Sequence, residues 1–366
     1  MRLWKRAAGA LKDQNNLLVV ALSRRTRYRI PQLETAIIKA TSHDETKIDY
    51  KSAERVFKWI RTPPVSLKPF LYALTARMER TSSWAVALKG LILIHGVLCC
   101  KIPAVQKLGR LPFDFSEFED GHTNPRIIWG FNSFIRAYFT FLDNRGALLY
   151  AEQKESVEPG VRHLSRIKDM QELLDLLFLV RPKADNMKQT LILEAMDCVV
   201  VEVFNLSHMI CNHLPVVLKN VENHCFSDKT EAAMAMNVIQ KAKKQFKDIN
   251  LFFKFCKVFG VANAYNVPGQ LPQVFDQDIE KLQQIMDGGS SLDEDENHIN
   301  ENALIVIRNE AKPWLQTVIT KQWEFFDDFQ AGPSNTDLVT KRDTSSVPYN
   351  PFESIHMREH PDLISL

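Results

Sequence analysis

Apolar residues recur at intervals of three to four along most of the first 286 residues, which is the spacing of one buried face of an α-helix. The strict alternation that is typical of strands is rare. The helices predicted from this spacing cover residues 32–41, 51–61, 67–79, 83–100, 126–143, 161–180, 185–216, 229–258 and 273–286. Because short breaks separate them, the pattern predicts an all-α fold in which antiparallel helices form a solenoid-like stack.

Proline and small polar residues mark the boundaries between these helices. Breaks fall at Thr62–Pro64, at Lys101–Pro103 and at Glu158–Gly160. Thr81 and Ser82 stand before a long apolar run, and side-chain oxygens at that position predict an N-cap for the helix that follows.

The composition changes near residue 287, where glycine and serine lead into a run of four acidic residues. Such a stretch favours a linker over a packed core. The predicted divisions are residues 1–270 for the helical domain, 271–300 for an acidic linker with a short helix, 301–330 for one further helix and 331–366 for a largely disordered, flexible tail.

Positive charge is concentrated at the N-terminus. The whole chain has a formal net charge of only +2, but residues 1–60 contain thirteen Lys or Arg residues against six Asp or Glu residues. A basic end on a nearly neutral protein predicts an anionic partner that is met at one place. By charge alone, a membrane surface and a nucleic acid both qualify.

Patterns that would indicate catalysis or a bound metal are not evident. The six cysteines are scattered without metal-site spacing, and no phosphate-binding loop, dinucleotide fingerprint or nucleophile elbow is visible. His95 lies in an apolar helix and is predicted to be a satisfied core residue, whereas Asp175 and Glu202 stand on separate helices with no evident partner. We therefore expect neither an enzyme nor a cofactor, and no metal.

A membrane-spanning helix is not predicted either. No run reaches the roughly 20 apolar residues that such a helix needs, and no secretory signal peptide is evident. If the chain meets a membrane, the sequence predicts that it does so peripherally, from the cytosol.

Three stretches, in order and spacing, resemble the ANTH domain of clathrin assembly proteins. They are the segments 36–44, AIIKATSHD; 81–95, TSSWAVALKGLILIH; and 134–143, FIRAYFTFLD. The opening Gly9–Asp13 is similar to the plant branch of that family, and the resemblance covers about residues 5–260. It implies an endocytic membrane adapter that binds phosphatidylinositol 4,5-bisphosphate and promotes clathrin coat assembly, with no nucleic-acid partner. It also implies vesicle SNAREs as a further partner, and a location at coated pits, vesicles and the Golgi apparatus.

In that family, a lysine at a helix end and a following Lys-x-Lys-His run form an exposed headgroup site. Here Lys39 matches the first lysine and Lys51 matches the second of the pair, but Asp49 and Ser52 stand at the other two positions. Since Asp49 would repel phosphate, we expect a diffuse basic surface in place of a tight pocket. The expected phosphoinositide-binding residues are Lys39, Thr41, His43, Lys47, Lys51, Arg55, Arg24, Arg25 and Arg27.

The first residues can form a short amphipathic helix. Over residues 2–12, Leu3 and Trp4 belong to an apolar side, while Lys5 and Arg6 belong to a basic side. Such a helix can lie in a lipid interface. The alternative is an N-terminal helix that packs on the domain.

Two short segments of the C-terminal part resemble ligands of coat proteins. Asn350, Pro351 and Phe352 form the Asn-Pro-Phe ligand of EH-domain proteins. Phe325, Asp327 and Phe329 fit a ligand of adaptor appendage domains, although the same aromatic residues could end a helix that packs on the domain. Contact with clathrin follows from the resemblance more than from any motif here. A different class of function also remains open, namely a helical protein-interaction scaffold with little lipid binding, which Asp49 and Ser52 favour.

Overall fold

The structure is a computed structural model that describes residues 2–24, 29–62, 66–100, 102–121, 125–152, 159–222 and 229–267. Within these ranges the regular elements are ten α-helices and two short 3-10 helices, with no strand. The all-α prediction is therefore confirmed for the described residues. None of the helices in these ranges is both long enough and apolar enough to cross a membrane.

The helices are numbered in chain order. The α-helices are α1 Arg2–Leu22, α2 Pro31–Ala40, α3 Tyr50–Arg61, α4 Lys68–Met78, α5 Trp84–Leu98, α6 Pro103–Gln106, α7 Pro125–Glu152, α8 Pro159–Leu179, α9 Thr190–Glu222 and α10 Lys229–Phe259. The 3-10 helices are Asp185–Met187 and Asn263–Asn266.

Helix α5 lies at the centre of the stack. All of its residues are buried, as expected for a helix that is apolar on every side. It contacts α2, α4, α7 and α9, while α8 packs against α7, α9 and α10. A single contiguous core therefore runs from α2 to the 3-10 helix after α10.

Several helix ends differ from the sequence prediction. Helix α1 continues to Leu22, well beyond residue 12, because Gly9 and Val20 both become buried when it packs on the domain. Helix α7 continues to Glu152. Helix α9 begins only after the 3-10 turn and passes through Pro215. The predicted segment 273–286 and the further helix in 301–330 lie outside the described residues.

The predicted cap of α5 is wrong. Its N-cap residue is Ser83, whose side chain makes no capping bond. The carboxylate of Asp120 accepts a hydrogen bond from the backbone N–H of Trp84 at 2.8 Å instead. Thr81 accepts a hydrogen bond from the N–H of Ser83, outside the helix. A residue 36 positions away in the sequence thus satisfies a backbone N–H at the buried N-terminus of the central helix.

A buried polar network joins α5, α7 and α9. The Nδ1 of His95 lies 2.7 Å from the Tyr138 hydroxyl, and the Nε of Arg145 donates to Glu202 at 2.8 Å. Burial alone would raise the pKa of Glu202, but the charge of Arg145 and a hydrogen bond from His95 lower it to about 2. His95 is therefore a satisfied core residue, as predicted, and Glu202 has a partner that its sequence position did not reveal.

Candidate functional site

Four exposed cations lie on the connection between α2 and α3 and on the two helices that it joins. Lys39 is in the last turn of α2, and Lys47 is in the loop that follows. Lys51 and Arg55 lie one turn apart on α3. We call Lys39, Lys47, Lys51 and Arg55 the basic corner. All four are exposed, so the structure brings together the central residues of the predicted headgroup site.

Asp49 and Ser52, which depart from the family pattern, form a pair. Asp49 is the N-cap of α3 and accepts a hydrogen bond from the backbone N–H of Ser52 at 3.0 Å. The Ser52 hydroxyl also donates to the second carboxylate oxygen at 2.7 Å. Burial would raise the pKa of Asp49, but these bonds and the nearby Lys39 and Arg55 lower it. Asp49 is therefore ionised. It caps the N-terminus of α3, and its negative charge reduces the positive potential of the basic corner.

Asp49→Asn should separate these two effects. Asn caps a helix about as well as Asp, so the free energy of unfolding should change by less than about 0.5 kcal/mol. Loss of the negative charge should strengthen binding to anionic vesicles by about fivefold. Vesicle pelleting and denaturant unfolding would measure the two quantities.

Asp49→Lys is the matched comparison, because it restores the family's charge but removes the cap. It should bind vesicles more tightly still, and should lose about 1 kcal/mol of stability. Equal vesicle binding by wild type and both variants would show that Asp49 does not influence the basic corner.

Thr41 and His43 do not share the exposure of the basic corner. Thr41 is fully buried, and its hydroxyl donates to the Ile37 carbonyl at 2.7 Å. His43 is partly buried and its Nδ1 lies 2.8 Å from Asp13 of α1. The structure therefore places Thr41 in the interior, and His43 at the contact between α1 and the loop after α2.

Lys89 is a residue of this region that the sequence analysis did not assign. It lies on α5 with only 2% of its surface exposed. Its Nζ donates to the backbone carbonyls of Ser42 at 3.0 Å and Asp44 at 2.6 Å. Burial lowers the pKa of Lys89 to about 8, although Asp44 and Asp13 act in the opposite direction. A lone lysine in an otherwise apolar helix requires buried partners, which is the signal that could have identified it.

Helix α1 presents an apolar stripe to the outside, which the exposed Asn15 interrupts. Trp4, Leu11, Leu18 and Leu22 recur at intervals of seven and four residues and are 61–86% exposed. The opposite side of the helix packs on α2, where Gly9 approaches His43 so closely that a Cβ would lie 2.7 Å from the His43 Cβ. The helix is therefore docked on the domain and amphipathic along its outer side.

The remaining predicted site residues are more scattered. Arg6 and Arg24 are exposed. The side chains of Leu3 and Lys5 lie outside the described residues, as do Arg25 and Arg27. The tail segments at Phe325, Asp327 and Phe329 and at Asn350, Pro351 and Phe352 also lie outside them.

Two buried side chains and one half-buried cysteine come close enough together to suggest a metal site. Potential ligand atoms of His95, Cys99 and Glu202 all lie within 4.8 Å of one another. However, the guanidinium group of Arg145 contacts the carboxylate of Glu202 at 2.8 Å. A cation there would face a fixed positive charge, so these residues fit a structural network better than a metal centre.

The fold and the basic corner define a class of protein, namely a helical-stack domain with a cationic surface at the junction of its second and third helices. The profile of the family described as "ANTH domain" matches residues 32–288. The chain therefore belongs to the ANTH domain family.

Similar proteins show to which branch of the ANTH domain family the chain belongs. One Arabidopsis thaliana protein of the clathrin assembly group is 45% identical over 333 residues, which are 90% of this chain and 88% of that protein. A second is 44% identical over 344 residues, again 90% and 88%. The Clathrin coat assembly protein AP180 of the same plant is 27% identical over 333 residues, 79% of this chain and 50% of that protein. The chain is thus a plant-type member of the family.

Proposed function

We propose that this protein is a peripheral adapter that binds phosphoinositide headgroups on the cytosolic membrane face and promotes clathrin coat assembly. The observation that carries the membrane half is the basic corner, where Lys39, Lys47, Lys51 and Arg55 are all exposed at one helix junction. The observation that carries the coat half is the similarity to relatives named for clathrin assembly.

The basic corner supports weak and salt-sensitive binding. Each lysine or arginine near an anionic leaflet contributes about 1 kcal/mol, and Asp49 offsets part of this sum. The corner is exposed, so salt screens it within a Debye length of about 8 Å at physiological ionic strength. We therefore expect membrane binding to depend on many copies that act together on one membrane. It should not depend on a tight pocket in each molecule.

The apolar stripe of α1 supplies a second kind of membrane contact. Trp4, Leu11, Leu18 and Leu22 can enter the interface between headgroups and acyl chains, as amphipathic helices do. Two exposed basic residues, Arg6 on this helix and Arg24 just beyond it, suit an anionic leaflet. We propose that α1 strengthens binding that the basic corner initiates.

The C-terminal segments would provide the contacts with the coat. We propose that Asn350–Phe352 binds EH-domain proteins and that Phe325–Phe329 binds adaptor appendage domains, each weakly and through a turn or an extended segment. Capture of vesicle SNAREs by the later helices, and location at coated pits, vesicles and the Golgi apparatus, belong to the same proposal.

Vesicle pelleting of the full chain tests the proposed phosphoinositide binding. Vesicles with and without phosphatidylinositol 4,5-bisphosphate would be compared at two salt concentrations. Lys39→Glu/Lys51→Glu should weaken the lipid-dependent pelleting by more than about tenfold, because it changes the charge of the basic corner by four units. Lys247→Glu/Lys254→Glu is the matched control, since it makes the same charge change at exposed positions of α10.

If pelleting is indifferent both to the lipid and to salt, the protein-interaction scaffold becomes the better account. If both double variants lose binding equally, the effect comes from net charge and the basic corner is not the site.

A further inference from the structure

Six exposed residues of α1 lie on one line along the helix, and successive members are separated by four, three, four, three and four residues. This is the spacing of the a and d positions of a heptad repeat, which meet the partner helix in a coiled coil. We call this line the α1 seam. Its members are Trp4, Ala8, Leu11, Asn15, Leu18 and Leu22.

The α1 seam faces away from the domain. Gly9 and Val20 lie on the other side of α1, where Val20 is only 5% exposed and Gly9 is buried against His43. The large apolar residues of the α1 seam remain 61–86% exposed. Several large apolar side chains that are exposed along one line mark an interaction surface, so the α1 seam can meet a partner while α1 stays docked.

The residue types in the α1 seam favour a second copy of this chain as the partner. Leu11 and Leu18 occupy d positions, and Asn15 occupies the central a position. A single asparagine at an a position fixes the register of a parallel two-stranded coiled coil, because the two amides can bond only when they lie opposite each other. Asn15 and its counterpart in a second copy satisfy this requirement on a two-fold axis.

The residues beside the α1 seam permit this approach. In a parallel pair, g residues of one helix lie near e residues of the other. Here these contacts join Ala7 with Lys12 and Gln14 with Val19. Neither contact brings like charges together, and Ala7 is small enough to let the two helices come close.

A pair of α1 helices would be short, with three d positions in each helix. An isolated peptide of this length would lose much of its conformational freedom on pairing. Here α1 is already helical and is docked through Asp13, which lies 2.7 Å from Arg77 and 2.8 Å from the Nδ1 of His43. Because a preorganised helix loses little freedom on association, a short α1 seam is sufficient for a weak pair.

A lipid interface is the other surface that could cover the α1 seam. Asn15 favours the second copy over lipid, since a buried amide needs a hydrogen-bonding partner. The amide of the second copy provides this partner, whereas acyl chains do not.

We propose that the α1 seam pairs with the α1 seam of a second copy, in parallel and in register at Asn15, and that the chain is a homodimer when no membrane is present. This inference goes beyond the proposed function, because it needs neither lipid nor the basic corner. Pairing and lipid contact use the same apolar side chains and exclude each other. The dimer therefore keeps these side chains out of water until the protein meets a membrane.

Sedimentation equilibrium of the full chain without lipid tests the pairing. The wild type should form a dimer with a dissociation constant of about 10 μM. Leu18→Asp should weaken this dimer by more than about tenfold, because it places two carboxylates opposite each other. Leu251→Asp is the matched control, since Leu251 of α10 is 62% exposed and Leu18 is 61% exposed. The control should leave the dimer unchanged, and circular dichroism would check that both variants are folded.

Disulfide cross-linking with an added oxidant tests the register. Asn15→Cys should cross-link two copies about tenfold faster than Ala10→Cys, because Ala10 is exposed on α1 but is not part of the α1 seam. The chain without a substitution gives the baseline for the native cysteines.

Three results would overturn the proposal. One is that the wild type remains a monomer up to about 100 μM, ten times the expected dissociation constant. The second is that Leu18→Asp weakens the dimer no more than Leu251→Asp does. The third is that Asn15→Cys cross-links no faster than Ala10→Cys.

Vesicle pelleting of the same variants separates this proposal from the proposed function. A monomeric wild type that loses vesicle binding on Leu18→Asp would assign the α1 seam to lipid alone and overturn the pairing. A dimer whose wild type is indifferent to phosphoinositide would support the pairing and count against the proposed function.

Discussion

Arg145→Met is expected to lower the free energy of unfolding by about 3–5 kcal/mol, because it leaves Glu202 charged and unpaired in the core. Glu202 has a side-chain exposure of 4% and Arg145 one of 17%. Domains of this kind are stable by only about 5–15 kcal/mol in total, so the variant should unfold at a much lower denaturant concentration. Equilibrium unfolding in urea would measure the change.

The control for this prediction is Arg110→Met, which breaks the ion pair of Arg110 with Asp143. Arg110 is 67% exposed, and surface pairs contribute about 0–1 kcal/mol. The double variant Arg145→Met/Glu202→Met should recover most of the loss, because apolar residues of similar volume replace a buried pair at little cost. A loss from Arg145→Met no larger than that from Arg110→Met would show that the network does not stabilise the core.

The pH dependence gives a second readout of the same pair. The pKa of Glu202 is about 2 in the folded protein, against an ordinary value of 4.5. Its lowered pKa therefore stabilises the fold fully above pH 4.5, and this contribution is lost as the pH falls through 2. It amounts to about 3 kcal/mol. The difference in the free energy of unfolding between wild type and Glu202→Gln should therefore decrease as the pH falls from 4.5 to 2.

Lys89→Met is expected to weaken vesicle binding by about tenfold, although Lys89 is buried and touches no lipid. Its Nζ donates hydrogen bonds to the carbonyls of Ser42 and Asp44. Both residues belong to the loop that connects Lys39 to Lys47. Unpaired carbonyls cost about 1–3 kcal/mol each, so the loop should rearrange and the basic corner should lose its geometry. Lys89 is in this sense a positioning residue.

Lys58→Met removes the same charge from an exposed position of α3 and serves as the control. If Lys89 acted only through its charge, the two variants would lose binding equally and with the same salt dependence. A positioning role predicts a larger loss for Lys89→Met, together with faster hydrogen exchange in residues 41–49. Burial lowers the pKa of Lys89 to about 8, so its charge is disfavoured where it lies and its benefit comes from its hydrogen bonds.

The sequence alone was sufficient for those features that depend on local spacing. The spacing of apolar residues over 83–100 was sufficient to predict a helix there, and the structure has one at Trp84–Leu98. Lys39 and Lys51 were identified by their match to the headgroup motif of the family, and the structure shows that both are exposed. The family resemblance was also visible in three segments and agrees with the family match.

Other features depend on residues that are distant in sequence. Asp49 looked like a defect in the headgroup site, yet the structure makes it the cap of α3, paired with Ser52. The cap of α5 comes from Asp120, which no local capping rule could select. The helical period also failed to show that α1 continues to Leu22, because packing on α2 stabilises its second half.

The sequence by itself determined the all-helical class, the helix near residues 83–100 and the cationic residues of the basic corner, because the period of apolar positions and the charge of a side chain are local properties. Only the tertiary structure decided that Asp13 contacts Arg77, that Lys89 holds the loop after α2 and that Arg145 neutralises Glu202. The physical reason is that a buried charge must be paired, but packing selects its partner among many residues of the right chemistry.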